Sequence, residues 1–332
     1  MKKIINKPDE VVGEMLNGLA AANPDLKYIE EYGVISRKKK SVKVGVVSGG
    51  GSGHEPAHAG YVGRGMLDAA VSGNVFASPS PDRILCGIRE ANQGKGVLLI
   101  IKNYSGDVMN FEMAQELAEM EGIKVERVIV RDDVSVPDSD VSTRRRGIAG
   151  TVLVHKIAGA AAEKGYGLAE VKRIAEKAIL NIRSMGAAMS SCTIPAVGKP
   201  GFYIGEEEIE VGMGIHGEPG ISRLPMVTAE ELAEILLEKI LLDMDYSGAR
   251  VGLMVNGLGA TTYMELCILN GEVNKILRRK GIEIVRTFVG NYMTALEMAG
   301  CSISLLKLDD EMLEMLDAPC DVEGFHVRGN AK

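Results

Sequence analysis

GVLLIIKNYSGDVMNF, residues 96–111, is where the fold is read. A strand-sized apolar run ends at Ile101, a short polar turn follows, and a helical pattern begins just after Asp107. A strand feeding a helix through a loop is the repeating unit of α/β proteins, whose ligands gather after the strands' carboxyl ends. The alternation continues outward in both directions. SVKVGVV (41–47) and KVERVIV (124–130) read as strands, Val11, Val12, Met15, Leu16 and Leu19 form a helical stripe, and Ser80-Pro81 opens a helix to Ala91. Two long helical segments are expected at 147–165 and 168–186. After them EIEVGMG (208–214), ARVGLMV (249–255), IEIVRTFV (282–289) and SISLLKL (302–308) alternate with helical patterns again.

A chain of 332 residues exceeds what one hydrophobic core comfortably organises. Two α/β domains are therefore expected, 1–185 and 186–332. The balance of 38 Lys+Arg against 45 Asp+Glu leaves a net charge of −7, and Arg144-Arg145-Arg146 and Lys38-Lys39-Lys40 are the only strongly basic stretches. Nucleic acid is not the expected partner. Five scattered cysteines without a C-x-x-C pair read as reduced thiols in a cytoplasmic protein. The N-terminus, MKKIINKPDEVV, lacks the apolar core of a signal peptide, and no apolar run approaches the ~20 residues that span a bilayer. No membrane association is expected.

Three of the five histidines, His54, His58 and His216, fall in two glycine-rich stretches, GGGSGHEPAHAG (49–60) and GMGIHGEPG (212–220). His54-Glu55-Pro56-Ala57-His58 has the H-E-x-x-H spacing of zinc proteases, which needs both histidines on one helical turn. Pro56 and the preceding glycines oppose that, so no metal is assigned. Neither VSGGGSGH nor VNGLGATT (255–262) satisfies the dinucleotide pattern, and no Walker pattern is present. What remains is a constellation. Gly49, Gly50, Gly51 and Gly53 suit a nest of backbone N–H groups after the first strand. Asp107 fits a helix cap and an acid/base group equally well. Lys102 reads first as a surface lysine that snorkels, and second as a phosphate contact. His216, set among glycines, has little local bulk to pack it; with an ordinary imidazole pKa of ~6.5 it is available as base, ligand or nucleophile. His155 and His326 read as structural or solvated.

GGGSGHEP (49–56), SPSPDRI (78–84), NYSGDVMNF (103–111), AGTVLVHKIAGAAAE (149–163), VGMGIHGEPG (211–220) and LMVNGLGAT (253–261) together resemble the K subunit of bacterial dihydroxyacetone kinases that work with the phosphotransferase system. The motifs run in order over nearly the whole chain. The resemblance implies an α/β protein of two domains with the substrate site between them, the glycine loop and Asp107 in the first and His216 in the second. His216 would hold dihydroxyacetone as a covalent hemiaminal. Gly51, Ser52, Gly53, His54, Lys102 and Asp107 would line the pocket, with His54 and Asp107 as acid/base groups and His58 without a role.

It further implies no cofactor in this chain, which stops at Lys332 without room for the helical nucleotide domain of ATP-using relatives. The donor would be an L subunit carrying ADP and magnesium, recharged by a phosphohistidine-bearing M subunit, and the K subunit would be a homodimer. Two alternatives stay open: a non-catalytic, dihydroxyacetone-binding coactivator of a transcription regulator, and a kinase subunit for a larger ketose such as erythrulose.

Overall fold

The computed structural model describes residues 2–136 and 145–328; Arg144 and Lys332 lie outside the described residues. The chain divides into two α/β units, and each takes more than one segment. One unit comprises Lys2–Val130, Val152–Leu180 and the chain from Glu311 onward; the other comprises Arg131–Thr151 and Asn181–Asp310. The single boundary near residue 185 expected from the sequence is thus replaced by a chain that leaves the first unit and returns to it. The physical reason lies in the helices at 151–163 and 168–180, whose apolar residues are buried within the first unit.

The first unit is built on a six-stranded sheet of β1 (Leu26–Ile29), β2 (Val34–Arg37), β3 (Gly45–Ser52), β4 (Ala69–Val75), β5 (Val97–Lys102) and β6 (Val125–Val130), in the order β1-β2-β4-β3-β5-β6. The inner pairs β4/β3, β3/β5 and β5/β6 are parallel, whereas β1 and β2 join antiparallel at one edge. Every residue of β3 and β5 is buried, as central parallel strands covered on both faces require. Helices α1 (Val11–Ala22), α2 (Pro81–Ala91), α3 (Ser105–Met120), α4 (Thr151–Glu163) and α5 (Leu168–Leu180) accompany the sheet. Pro81 occupies the first turn of α2, where its missing N–H costs nothing. Helix α4 is buried on all sides over 151–162, which its run of valine, leucine, isoleucine and alanine allows.

The second unit carries β7 (Ile182–Ala188), β8 (Glu208–Val211), β9 (Ser222–Pro225), β10 (Arg250–Gly257), β11 (Glu283–Gly290) and β12 (Gly300–Leu308), ordered β11-β10-β12-β7-β8-β9. Only the β10/β11 pair is parallel. Helices α6 (Ala229–Asp243) and α7 (Tyr263–Arg279) pack Leu236, Leu237, Ile240, Leu266, Val273 and Leu277 into its core. Both open on capping boxes, Thr228/Glu231 and Thr262/Glu265. The chain closes in the first unit with α8 (Asp310–Asp317) and the hairpin β13 (Cys320–Val322) and β14 (Phe325–Val327).

Two sequence expectations change here. The helix expected to run from 168 to 186 ends at Leu180, and Ile182–Ala188 form β7 between β12 and β8. Pairing with two neighbours outweighs a weak local helical pattern. The glycine run is not a loop: β3 continues to Ser52, and Gly49, Gly50 and Gly51 pair with Val71, Ser72 and Gly73 of β4. A side chain at Gly49 would strike the Val71 carbonyl, and a Cβ at Gly51 would lie 2.6 Å from the Ala77 nitrogen. Glycine here admits neighbouring backbone, so the expected nest of Gly49–Gly51 N–H groups is replaced by a sheet ladder.

Candidate functional site

In the first unit the site is built around Gly50, which holds a φ of 155° in the middle of β3. A side chain there would collide with Lys102 Nζ; Asp107 Oδ2 lies 3.3 Å from that point and His58 Nε2 3.7 Å. The bare face of one glycine thus brings together a lysine from the end of β5, an aspartate from the first turn of α3 and a histidine from the segment after β3. Lys102 is fully buried, which overturns its reading as a surface lysine. Its Nζ stands 3.4 Å from Asp107 Oδ2 and 5.7 Å from the centre of the Tyr104 ring.

Asp107 is not the helix cap. Tyr104 holds that position without a side-chain bond, and Asp107 is the third residue of α3, where the helix's positive end favours a carboxylate. It is buried, with Oδ1 lacking a hydrogen-bond partner among the described residues. An acid/base group needs such an uncommitted oxygen more than a cap does.

His54 is wholly buried and stacks on Phe76, ring centres 5.1 Å apart. His58, for which the resemblance implied no role, is also buried; its Nδ1 lies 3.4 Å from Ser48 Oγ and its ring 5.2 Å from that of His155. The two histidines of the H-E-x-x-H spacing therefore address different neighbours, and residues 54–61 form turns and a short 3₁₀ segment rather than an α-helix. Burial, reinforced by the charge on Lys102, pushes the His155 imidazole down to about 3. Burial and then Lys102, His155 and His54 hold His58 well below the usual histidine range. His326 is exposed beside Asp321 at 2.6 Å, as its solvated reading expects.

Ser52 and Gly53 are committed locally. Ser52 Oγ donates to the Gly73 carbonyl at 2.8 Å, and the Gly53 N–H meets both oxygens of Glu55 at 3.0 and 3.1 Å. Burial raises the Glu55 carboxyl above its ordinary range.

In the second unit His216 follows β8 in the stretch before β9. Its Nδ1 lies 2.9 Å from Glu218 Oε1, and its backbone N–H donates to Glu218 Oε2 at 3.0 Å. Burial pushes the Glu218 carboxyl up, but the hydrogen bond and charge of His216 outweigh it and hold the group at about 2. A carboxylate facing Nδ1 favours a proton there, which leaves Nε2 with the lone pair of a nucleophile.

The glycines make this turn possible. Gly214 leaves room for the Glu218 carboxylate, Gly217 holds a φ of 83° against the Phe202 ring, and the Gly214 N–H donates to the Glu218 carbonyl at 3.0 Å. Arg146 secures the approach, donating to Asp133 Oδ2 at 2.8 Å and to the Gly212 carbonyl at 2.7 Å. Arg145 is likewise buried, paired with Asp243 at 2.8 Å, so two members of the basic triplet are internal. Sequence reasoning passed over Glu218 and Arg146. For Glu218 the signal was present as the H-G-E spacing; Arg146 had none.

Among the described residues no group of three or more His, Cys, Asp or Glu side chains is placed to hold a metal, and no helix is long and apolar enough to cross a membrane.

The Dak1 domain family model matches residues 17–324. The chain is 54% identical over 325 residues to the PTS-dependent dihydroxyacetone kinase 1, dihydroxyacetone-binding subunit DhaK, of Listeria innocua, covering 97% of this chain and 99% of that protein. The solved structure of a dihydroxyacetone kinase operon co-activator, Dha-DhaQ, aligns with a TM-score of 0.89 at 38% identity, over 96% of this chain and 98% of that one. The crystal structure of the dihydroxyacetone kinase of C. freundii aligns with a TM-score of 0.89 at 37% identity, over 100% of this chain and 61% of the longer kinase.

Proposed function

The chain belongs to the Dak1 domain family, and on that premise we propose that it is the dihydroxyacetone-binding subunit of a phosphotransferase-system-dependent dihydroxyacetone kinase. The observation that carries the chemistry is the pairing of His216 Nδ1 with Glu218. With Nδ1–H donated to the carboxylate, the Nε2 lone pair adds to the carbonyl carbon of dihydroxyacetone. The C=O π pair moves to oxygen, which takes a proton from water, while the Nδ1 proton of the now cationic ring passes by way of the Glu218 carboxylate to the hydroxide left behind, so that the ring ends neutral. The product is a hemiaminal that anchors a three-carbon substrate otherwise offering few contacts.

Asp107 takes the proton from the hydroxyl that receives the phosphoryl group, through its unpartnered Oδ1 or the Oδ2 beside Lys102. His54, buried against Phe76, is the second acid/base group, and Gly51, Ser52 and Gly53 shape the pocket from β3. A lysine buried beside Asp107 places positive charge where the phosphoryl oxygens arrive. The donor is a partner L subunit carrying ADP and magnesium, itself recharged by an M subunit. The K subunit acts as a homodimer in the cytoplasm.

Crystals soaked with dihydroxyacetone test this directly: density should run unbroken from His216 Nε2 to the ligand's central carbon, whereas glycerol, which has no carbonyl, should leave no such link. In solution, dihydroxyacetone phosphate should form with the L subunit and its phosphate source, and not with ATP alone. Robust turnover from this chain with ATP alone would remove the partner. Ligand capture with no phosphoryl transfer in the complete system would favour the role carried by the structurally similar co-activator.

A further inference from the structure

Lys102 is fully buried, and its ammonium offers three donors. Among the described residues its one hydrogen-bond acceptor is Asp107 Oδ2, at the long distance of 3.4 Å. A buried cation so thinly satisfied is costly unless further acceptors face it.

One does. Ser48 Oγ donates its hydrogen to the Ile100 carbonyl at 2.7 Å, so toward the nearby His58 Nδ1 it acts as acceptor, at 3.4 Å. That fixes the proton of His58 on Nδ1 and leaves Nε2 as a bare lone pair, buried and without a partner. The same Nε2 and the Lys102 Nζ converge on the face of Gly50, the residue whose missing side chain lets them approach. One group lacks acceptors, and the group facing it lacks a donor.

We propose that His58 is a positioning residue for Lys102: its Nε2 accepts one of the lysine's N–H groups, directly or through a single buried water, and so directs the remaining N–H groups toward Asp107 and the substrate oxygens. The groups facing His58 are Ser48 of β3, Lys102 of β5, Asp107 of α3, His155 of α4 and His54 of its own segment. Burial and the neighbouring lysine keep His58 neutral, the only form with a lone pair to offer. The catalytic consequence rests on the kinase reading above; the contact itself does not.

The test separates the two. In the full chain with isotope-labelled lysines, the Lys102 ammonium signal, identified by its loss in Lys102→Arg, should exchange its protons slowly. His58→Met, which keeps bulk and removes the acceptor, should speed that exchange by roughly tenfold or more. His58→Gln, whose amide oxygen can accept, should restore it. Unchanged exchange in His58→Met, or no rescue by Gln in a folded variant, overturns the contact.

With the L subunit and phosphate source added, His58→Met should lower kcat by roughly tenfold with little change in KM, and Gln should recover most of it. Unchanged kcat in His58→Met beside an active wild type overturns the positioning role. An inactive wild type would instead overturn the kinase reading, and the exchange measurement would still decide the contact.

Discussion

Residues 53–56 read Gly-His-Glu-Pro and residues 216–219 read His-Gly-Glu-Pro. In both, the glutamate carboxylate turns back to the backbone N–H two residues earlier: Gly53 for Glu55 and His216 for Glu218. The transposition decides what happens to the imidazole. In the second stretch the histidine that lends its N–H also brings its ring to the same carboxylate, at 2.9 Å. In the first, glycine lends the N–H, and His54 stacks on Phe76 instead. The carboxyls respond in opposite directions, Glu55 raised by burial and Glu218 held at about 2 by its histidine. One stretch turns its histidine ring to a carboxylate, and the other uses its glutamate as a backbone clasp.

The largest effect is expected at Asp107 of α3, on the first unit's side of this contrast. Asp107→Asn should keep the covalent adduct on His216 and lower phosphoryl transfer by ~10²- to 10⁴-fold, as loss of a general base does. Steady-state kinetics beside crystallography of the adduct would read both halves, and undiminished turnover would return Asp107 to a structural role.

Glu218→Gln comes next. It keeps shape but surrenders a hydrogen bond to charge, worth about 1.5–3 kcal/mol, so capture of dihydroxyacetone should weaken by roughly ten- to a hundredfold. Calorimetric titration would show it. An unchanged affinity would mean that His216 needs no carboxylate and that the two stretches differ less than their geometry says.

Smaller still is the effect of pH on the first unit. His58 and His155 have depressed pKa values in the folded chain, so the unfolded chain binds protons that the folded one refuses. Their contribution to stability is complete above the ordinary histidine value of ~6.5 and declines as pH falls from there toward about 3 for His155, by at most ~1.4 kcal/mol per pH unit per histidine. Urea titrations at pH 7 and pH 5 should differ accordingly, and His155→Leu should flatten the difference. A wild-type stability that rises as pH falls would contradict the buried, neutral histidines.

The smallest effect belongs to Glu55→Gln. Burial already penalises its charged form, and an amide oxygen can still receive the Gly53 N–H. Thermal unfolding should move by no more than ~1 kcal/mol, and adduct formation should be untouched. A loss as large as that of Glu218→Gln would erase the distinction between the two stretches.

What the sequence by itself determined is local. Unbroken apolar runs such as Val97–Ile101 announced their strands, Ser80-Pro81 announced α2, and the glycine-histidine clusters singled out candidate residues in each unit, because strand patterning and backbone freedom are written in neighbouring residues. Ile182–Ala188 misled because a short mixed segment, IRSMGAA, carries no decisive period and fits helix or strand alike until a partner strand is present. Only the tertiary structure decided that Lys102 is buried rather than snorkelling, that His58 faces it across Gly50, and that Glu218 reaches back to the ring of His216. It also decided that α4 and α5 belong with the first sheet rather than marking a domain boundary. Burial and charge contacts are set by which distant segments share a core, and that quantity is not carried by any single window of the chain.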